Sequence, residues 1–254
     1  TGGALITAPR DAAPELRRYY RQATRLSTLL ALASDVSMAT VGGALKRKGA
    51  LTGRLGDMLS QLFILSAALK RFEDEGRPAE DLPFIHWAAQ DALNRATTAW
   101  RDLLANHPSR GATLFLKLAG APFGLKAPTP GDKCAAEVAG LIQRHGPARD
   151  RLVAGSWSAS LEVDPIAAVL VAFDLYPQGE AVEARLKSAI RTGRLSRAPQ
   201  DLTRLADWAR EAETQGLIDA DESVLIARYA EVAIQAIMGD DFPQDFGLAE
   251  GRAR

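Results

Sequence analysis

The 254 residues suffice for one large domain or two modest ones, and at 47% hydrophobic and 24% charged they can bury a core and keep a solvated surface. The 31 basic and 31 acidic residues cancel, with a pI near 6.8, so the chain lacks the basic footprint of a nucleic-acid binder. A single cysteine, Cys134, excludes an intrachain disulfide framework and suits a reducing compartment.

The chain opens at Thr1 without an initiator Met, and without the charged start and apolar run of a signal peptide. Together these suggest a piece cut from a longer protein, with a processed mature chain as the alternative. Residues 1–13 form an irregular lead-in. Pro14 and Glu15 suit a helix start. Leu16, Tyr19, Tyr20, Ala23, Leu26, Leu30, Ala33 and Ser37 then mark one face of a long helix that Gly42-Gly43 loosens or ends.

A basic link, Lys46 to Gly49, leads into residues 51–72. There Leu55, Met58, Leu59, Leu62, Leu65, Ser66 and Leu69 recur at helical spacing, and Phe63, Ile64, Ala67 and Ala68 carry the apolar surface nearly all the way round. Such a helix is expected to be buried on every side, with Thr52 capping its start. Arg54, Asp57 and Gln61 interrupt it too often for a bilayer span. After a charged loop, a third long helix begins near Pro83, with Ile85, Ala88, Ala92, Ala96, Trp100 and Leu103 on one face, and Asn106-His107-Pro108 stops it. The fold class expected is all-α: an up-down bundle of three long helices across 14–108, then shorter helices and a C-terminal αα-hairpin.

Residues 109–131 form an apolar segment and a Pro/Gly-rich linker. Leu114, Phe115, Leu116, Leu118 and Phe123, dotted with Lys117 and Lys126, are candidates for contact with a membrane surface or a partner. The competing reading is a short packed helix plus linker, favoured because the run is short and has few cations. Residues 132–254 form a short-helix subdomain. In it Asp164-Pro165 starts a helix, and Val182, Leu186 and Ile190 recur at four-residue spacing. Leu202, Leu205, Ala209 and Ala212 make the first face of the hairpin; Gly216 ends that helix, Asp219 and Glu222 start the next, and Gly239 to Pro243 ends it.

Chemistry is hard to find. There is no G-x-G-x-x-G or G-x-x-x-x-G-K-[ST]; Gly53 and Gly56 lack that spacing and are expected to serve close helix packing. His86, His107 and His145 are scattered, and Gln90 occupies the position one turn after His86, so no helical metal pair forms. Cys134 has His145 eleven residues on but no third partner, and is expected to be a buried thiol. Asp57 is expected to pair with Arg54.

Several stretches, in order, carry a resemblance to a known family. They are 18–22 (Arg-Tyr-Tyr-Arg-Gln), 33–38 (Ala-Ser-Asp-Val-Ser-Met), 45–47 (Leu-Lys-Arg) and 54–62 (Arg-Leu-Gly-Asp-Met-Leu-Ser-Gln-Leu). They continue with 67–76 (Ala-Ala-Leu-Lys-Arg-Phe-Glu-Asp-Glu-Gly), 79–83 (Ala-Glu-Asp-Leu-Pro), 86–88 (His-Trp-Ala), 104–106 (Leu-Ala-Asn), 149–152 (Arg-Asp-Arg-Leu) and 240–242 (Asp-Asp-Phe). The chain resembles the C-terminal part of the bacterial-type long-chain acyl-CoA dehydrogenases of fatty-acid β-oxidation, densely over 16–106 and thinly between 155 and 235.

The resemblance implies a full-length flavoenzyme that oxidises an acyl-CoA to the trans-2-enoyl-CoA, with a glutamate taking the α-proton and FAD the β-hydride. An electron-transfer flavoprotein would reoxidise the flavin. In that family the flavin site and base lie in an upstream catalytic core, so no catalytic, cofactor-binding or metal residue is assigned to this chain. The segment would complete the bundle, cover the core, support a homo-oligomer or touch the membrane where long-chain substrates enter. The implied location is cytoplasmic, with peripheral contact at the inner face of the membrane. The alternative is a stand-alone helical interaction module for dimerisation or membrane-surface association.

Overall fold

The computed structural model describes residues 6–127, 129–157 and 165–238. A 3₁₀ turn at Pro14–Leu16 leads into α1 (Arg17–Val41), which ends at Gly42, where φ is +56°, a conformation that costs glycine little. A second 3₁₀ segment, Gly42–Arg47, carries the chain to α2 (Gly49–Asp74), and a third, Ala79–Asp81, to α3 (Leu82–Asn106). Pro83 sits in the first turn of α3, where its missing N–H costs nothing. Next come α4 (Arg110–Phe115) with a π turn, Leu116–Gly120, then α5 (Asp132–Ile142) and α6 (Pro147–Val153). The last three helices are α7 (Pro165–Arg191), α8 (Leu205–Thr214) and α9 (Ala220–Ile237). No strand occurs among the described residues, so the all-α expectation holds.

The described chain divides into two compact units, one ending at Ala154 and the other beginning at Gly155. In the first, Tyr19, Leu26, Leu29 and Ala33 of α1 meet Met58, Leu62, Leu65 and Leu69 of α2 and Ala89, Leu93, Trp100 and Leu103 of α3 in one core. By length and composition the stretch Pro14–Arg47 could cross a membrane. Its arrangement is that of a bundle helix: Leu26, Leu29 and Ala33 face the core, while Ser27, Thr28, Ala31 and Asp35 are exposed. α5 packs on α3, and α6 is fastened by Arg151, which forks onto Asp81 at 2.7 and 3.0 Å and reaches Glu80 at 2.8 Å. Those two carboxylates raise the guanidinium pKa above its usual range, first through the hydrogen bonds to Asp81 and then those to Glu80.

In the second unit, Val182, Leu186 and Ala189 of α7 pack with Trp208, Ala209 and Ala212 of α8 and Ile226 of α9. Gly216, with φ at +67°, ends α8's extension, and Asp219 and Glu222 form a reciprocal capping box at the start of α9 (2.9 and 3.2 Å), as the sequence predicts. The expected helix start at Asp164 and stop at Gly239 to Pro243 lie outside the described residues.

Four expectations need correction. Helices after Asp132 do not all stay short: α7 runs for 27 residues, straight through Pro177 and Gly179. Proline removes one ladder donor, yet packing of Ala167 and Ala168 before it and Val182 and Leu186 after it holds the helix together. Nor is α2 buried on every side. Met58, Leu62, Leu65, Leu69 and Phe72 enter the core, but Leu59, Phe63 and Ile64 are 61%, 73% and 49% exposed, because the described neighbours pack on one side only. Finally, Gly53 and Gly56 meet nothing within 4 Å of a built Cβ, so neither serves close packing. α2 also begins at Gly49, and Thr52 is an interior residue whose hydroxyl donates to the Gly49 carbonyl at 3.1 Å rather than a cap.

Candidate docking surfaces

The apolar segment after α3 is presented by a hydrogen-bonded corner. His107, 7% exposed, accepts at Nδ1 from the Ser109 N–H at 3.1 Å, and its Nε2 lies 3.4 Å from the Ser37 hydroxyl of α1. Ser109 caps α4, its hydroxyl oxygen accepting from the Ala112 N–H at 3.2 Å. At the end of the π turn, Gly120 lies so close to the core that a Cβ there would stand 2.7 Å from Leu29 Cδ2 and 3.5 Å from Trp100 Cη2. Arg101 then donates to the Leu125 carbonyl at 2.9 Å, and Asn94 to the Ala127 carbonyl at 2.6 Å. Both ends of the segment are thus tied to the bundle.

This scaffold sorts the five candidates. Leu116 is fully buried in the core, together with Ala112 and Ala121, and is no contact residue; the π turn rotates it inward. Leu114, Phe115, Leu118 and Phe123 are exposed by 59%, 51%, 64% and 90%, and Arg110, Lys117 and Lys126 are exposed alongside them. The packed-helix and surface readings therefore each describe part of the segment.

Sequence reasoning missed a second apolar surface. Leu59, Phe63 and Ile64 stand outward on α2, and no charged residue occurs from Met58 through Leu69. The available signal was the all-round apolarity itself, which burial alone does not explain when only one side has a partner. Asp57 beside this surface is exposed, and Arg54 donates to the Ala50 carbonyl at 3.3 Å instead of pairing with it.

Tyr19 and His86 are joined in a network inside the first unit. Tyr19, 2% exposed, places its hydroxyl 2.9 Å from His86 Nδ1 and accepts from Gln90 at 3.3 Å and from Arg18. Burial, aided by the Arg18 charge, holds the His86 pKa below its usual value, so the ring is a neutral acceptor for the Tyr19 proton. Cys134 is only half-buried, 3.7 Å from the Pro83 carbonyl, and burial pushes its thiol pKa up, which makes it a poor nucleophile. Among the described residues no three His, Cys, Asp or Glu side chains converge as a metal site.

The first unit thus leaves two apolar surfaces uncovered, at Leu59, Phe63 and Ile64 and at Leu114, Phe115, Leu118 and Phe123. Residues 1–242 match the family described as acyl-CoA dehydrogenase, C-terminal, bacterial type, and the chain belongs to that family. No solved structure matches it. Membership points to an oxidoreductase in the full-length protein, of a family that generally uses FAD. FAD needs a flat apolar slot for its ring system and clustered backbone N–H groups for its pyrophosphate. The cavity of about 500 Å³ between α5, α6 and the Ala79–Asp81 turn has no Phe, Tyr or Trp wall and mixes Glu80 and Glu137 with Arg144, His145 and Arg149. The groove of about 690 Å³ over Ile6 to Arg10 is lined by Arg17 and Arg21 and has no aromatic ring. Neither fits FAD.

Proposed function

We propose that this chain is the docking domain of an FAD-dependent dehydrogenase that oxidises long-chain acyl-CoA to trans-2-enoyl-CoA and passes electrons to an electron-transfer flavoprotein. Its own task is to cover the upstream catalytic core of the same protein and support its homo-oligomer. The observation that carries this is the outward row Leu59, Phe63 and Ile64 on a charge-free stretch of α2. Contiguous exposed apolar surface of that kind marks a contact site. With the flavin-bearing core and this chain made as separate polypeptides, the two should associate and form a complex that reduces dye when given a long-chain acyl-CoA. Leu59→Asp with Phe63→Asp should weaken association at least about tenfold. Undiminished association by the double variant would exclude this face as the docking surface.

A second reading has its own support in the four exposed apolar side chains at 114–123, flanked by Arg110, Lys117 and Lys126. Apolar side chains beside cations suit an anionic bilayer surface, which would place the cytoplasmic enzyme at the inner face of the membrane. The chain should co-sediment with phosphatidylserine-containing vesicles, and Phe115→Ser with Phe123→Ser should abolish most of that binding without lowering the melting temperature. Equal sedimentation of variant and parent would remove the membrane role.

A further inference from the structure

The second unit contains a cavity that the docking role does not use. It holds about 250 Å³ and lies between α7, α9 and the segment leading into α8. That is below the roughly 300–1,000 Å³ of pockets for drug-sized ligands, so it suits a single small group rather than an acyl-CoA. One helical stripe of α7 lines it: Tyr176, Gly179, Glu180 and Glu183, at spacings of three and four. Tyr229 of α9 stands beside Tyr176, the two ring centroids 6.2 Å apart and the planes tilted by 51°. Trp208, Leu202 and Leu205 complete an apolar wall. The Trp208 indole N–H is already committed to the Ser196 carbonyl at 2.9 Å, so Trp208 contributes surface only.

The charged groups that line this cavity have one sign. No Lys, Arg or His lines it, and two cations on the flanking helices, Arg185 and Arg228, are held by Glu222 and Glu231. Among the described residues neither Glu180 nor Glu183 has a cation within 4.0 Å. Burial, together with Tyr176 and Glu183, raises the Tyr229 pKa, so the phenol stays neutral and its ring remains an electron-rich wall.

We propose that this cavity receives one alkyl guanidinium group. One of the two tyrosine rings can stack on its plane while the other meets its edge, two carboxylates one turn apart can accept from its fork of donors, and the apolar wall can cover its stem. A guanidinium fits these walls better than an ammonium because it is planar and more weakly hydrated. The group could come from an arginine side chain of a polypeptide or from a free arginine-like metabolite, and the recognition chemistry is the same.

The test follows the Trp208 indole N–H resonance in the full 254-residue chain. Titrating Nα-acetylarginine methylamide should shift that resonance saturably, whereas the isosteric citrulline compound should not. Glu180→Gln with Glu183→Gln should weaken the effect about tenfold or more. Gly179→Leu should block it without lowering the melting temperature, because a Cβ there meets nothing within 4 Å and glycine is a poor helix former. A peptide with a central arginine that binds about tenfold tighter than the amide would assign the site to a polypeptide; equal binding would assign it to the small molecule. No shift at about 10 mM arginine compound, an equal shift with citrulline, or undiminished binding by the Gln pair would overturn the proposal.

Discussion

Leu62→Asp should unfold the first unit, whereas Phe63→Asp, the next residue along α2, should leave its melting temperature within about 2 °C of the parent. Leu62 is 8% exposed and packs in the three-helix core; Phe63 is 73% exposed. A carboxylate at position 62 would have to be buried without a partner or protonated, at a cost above about 4 kcal/mol, a large part of the roughly 5–15 kcal/mol that holds a domain together. At position 63 it would remain hydrated. Circular dichroism melts of the two variants measure this directly. Equal destabilisation would mean that both faces of α2 are buried, and the docking surface would vanish with that result.

The second large effect is expected from Trp100→Ala. The indole is 2% exposed and lies against Leu29 at the place where Gly120 approaches the bundle. Removing it should cost about 3–5 kcal/mol, in lost transfer energy and in a cavity that the surrounding helices cannot close. For a unit of this size the melting temperature should fall by about 10 °C or more. Because the cavity opens under the π turn, the presentation of Leu114, Phe115 and Leu118 should loosen as well, and vesicle binding should fall together with stability. A loss under about 1 kcal/mol would mean that the indole is not the anchor of this corner.

The fold was legible where a pattern is local. The period of α1 and α3, the stop at His107-Pro108, Gly216 past α8 and the Asp219–Glu222 capping box all follow from chemistry within one or two helical turns. The length of α7 was missed: short helices were expected after Asp132, while the burial of Ala167, Ala168, Val182 and Leu186 along α7 is tertiary. The docking surfaces were half legible. Apolar residues at 114–123 marked out the segment, with packing as the favoured reading, yet nothing in their order distinguished Leu116, turned into the core, from Leu118, turned out of it. That distinction depends on a π turn and on how near Gly120 comes to Leu29.

The sequence by itself determined an all-α chain, the bounds of α1 and α3, the capped start of α9, and its family, because periodicity, capping and residue order are properties of the chain alone. Only the tertiary structure decided which side of α2 is left uncovered and that Tyr176, Glu183 and Tyr229 line one cavity. An apolar side chain shows the same attraction to any neighbour, so whether it builds a core or a contact surface depends on which helices reach it, and that is settled only when the whole chain has packed.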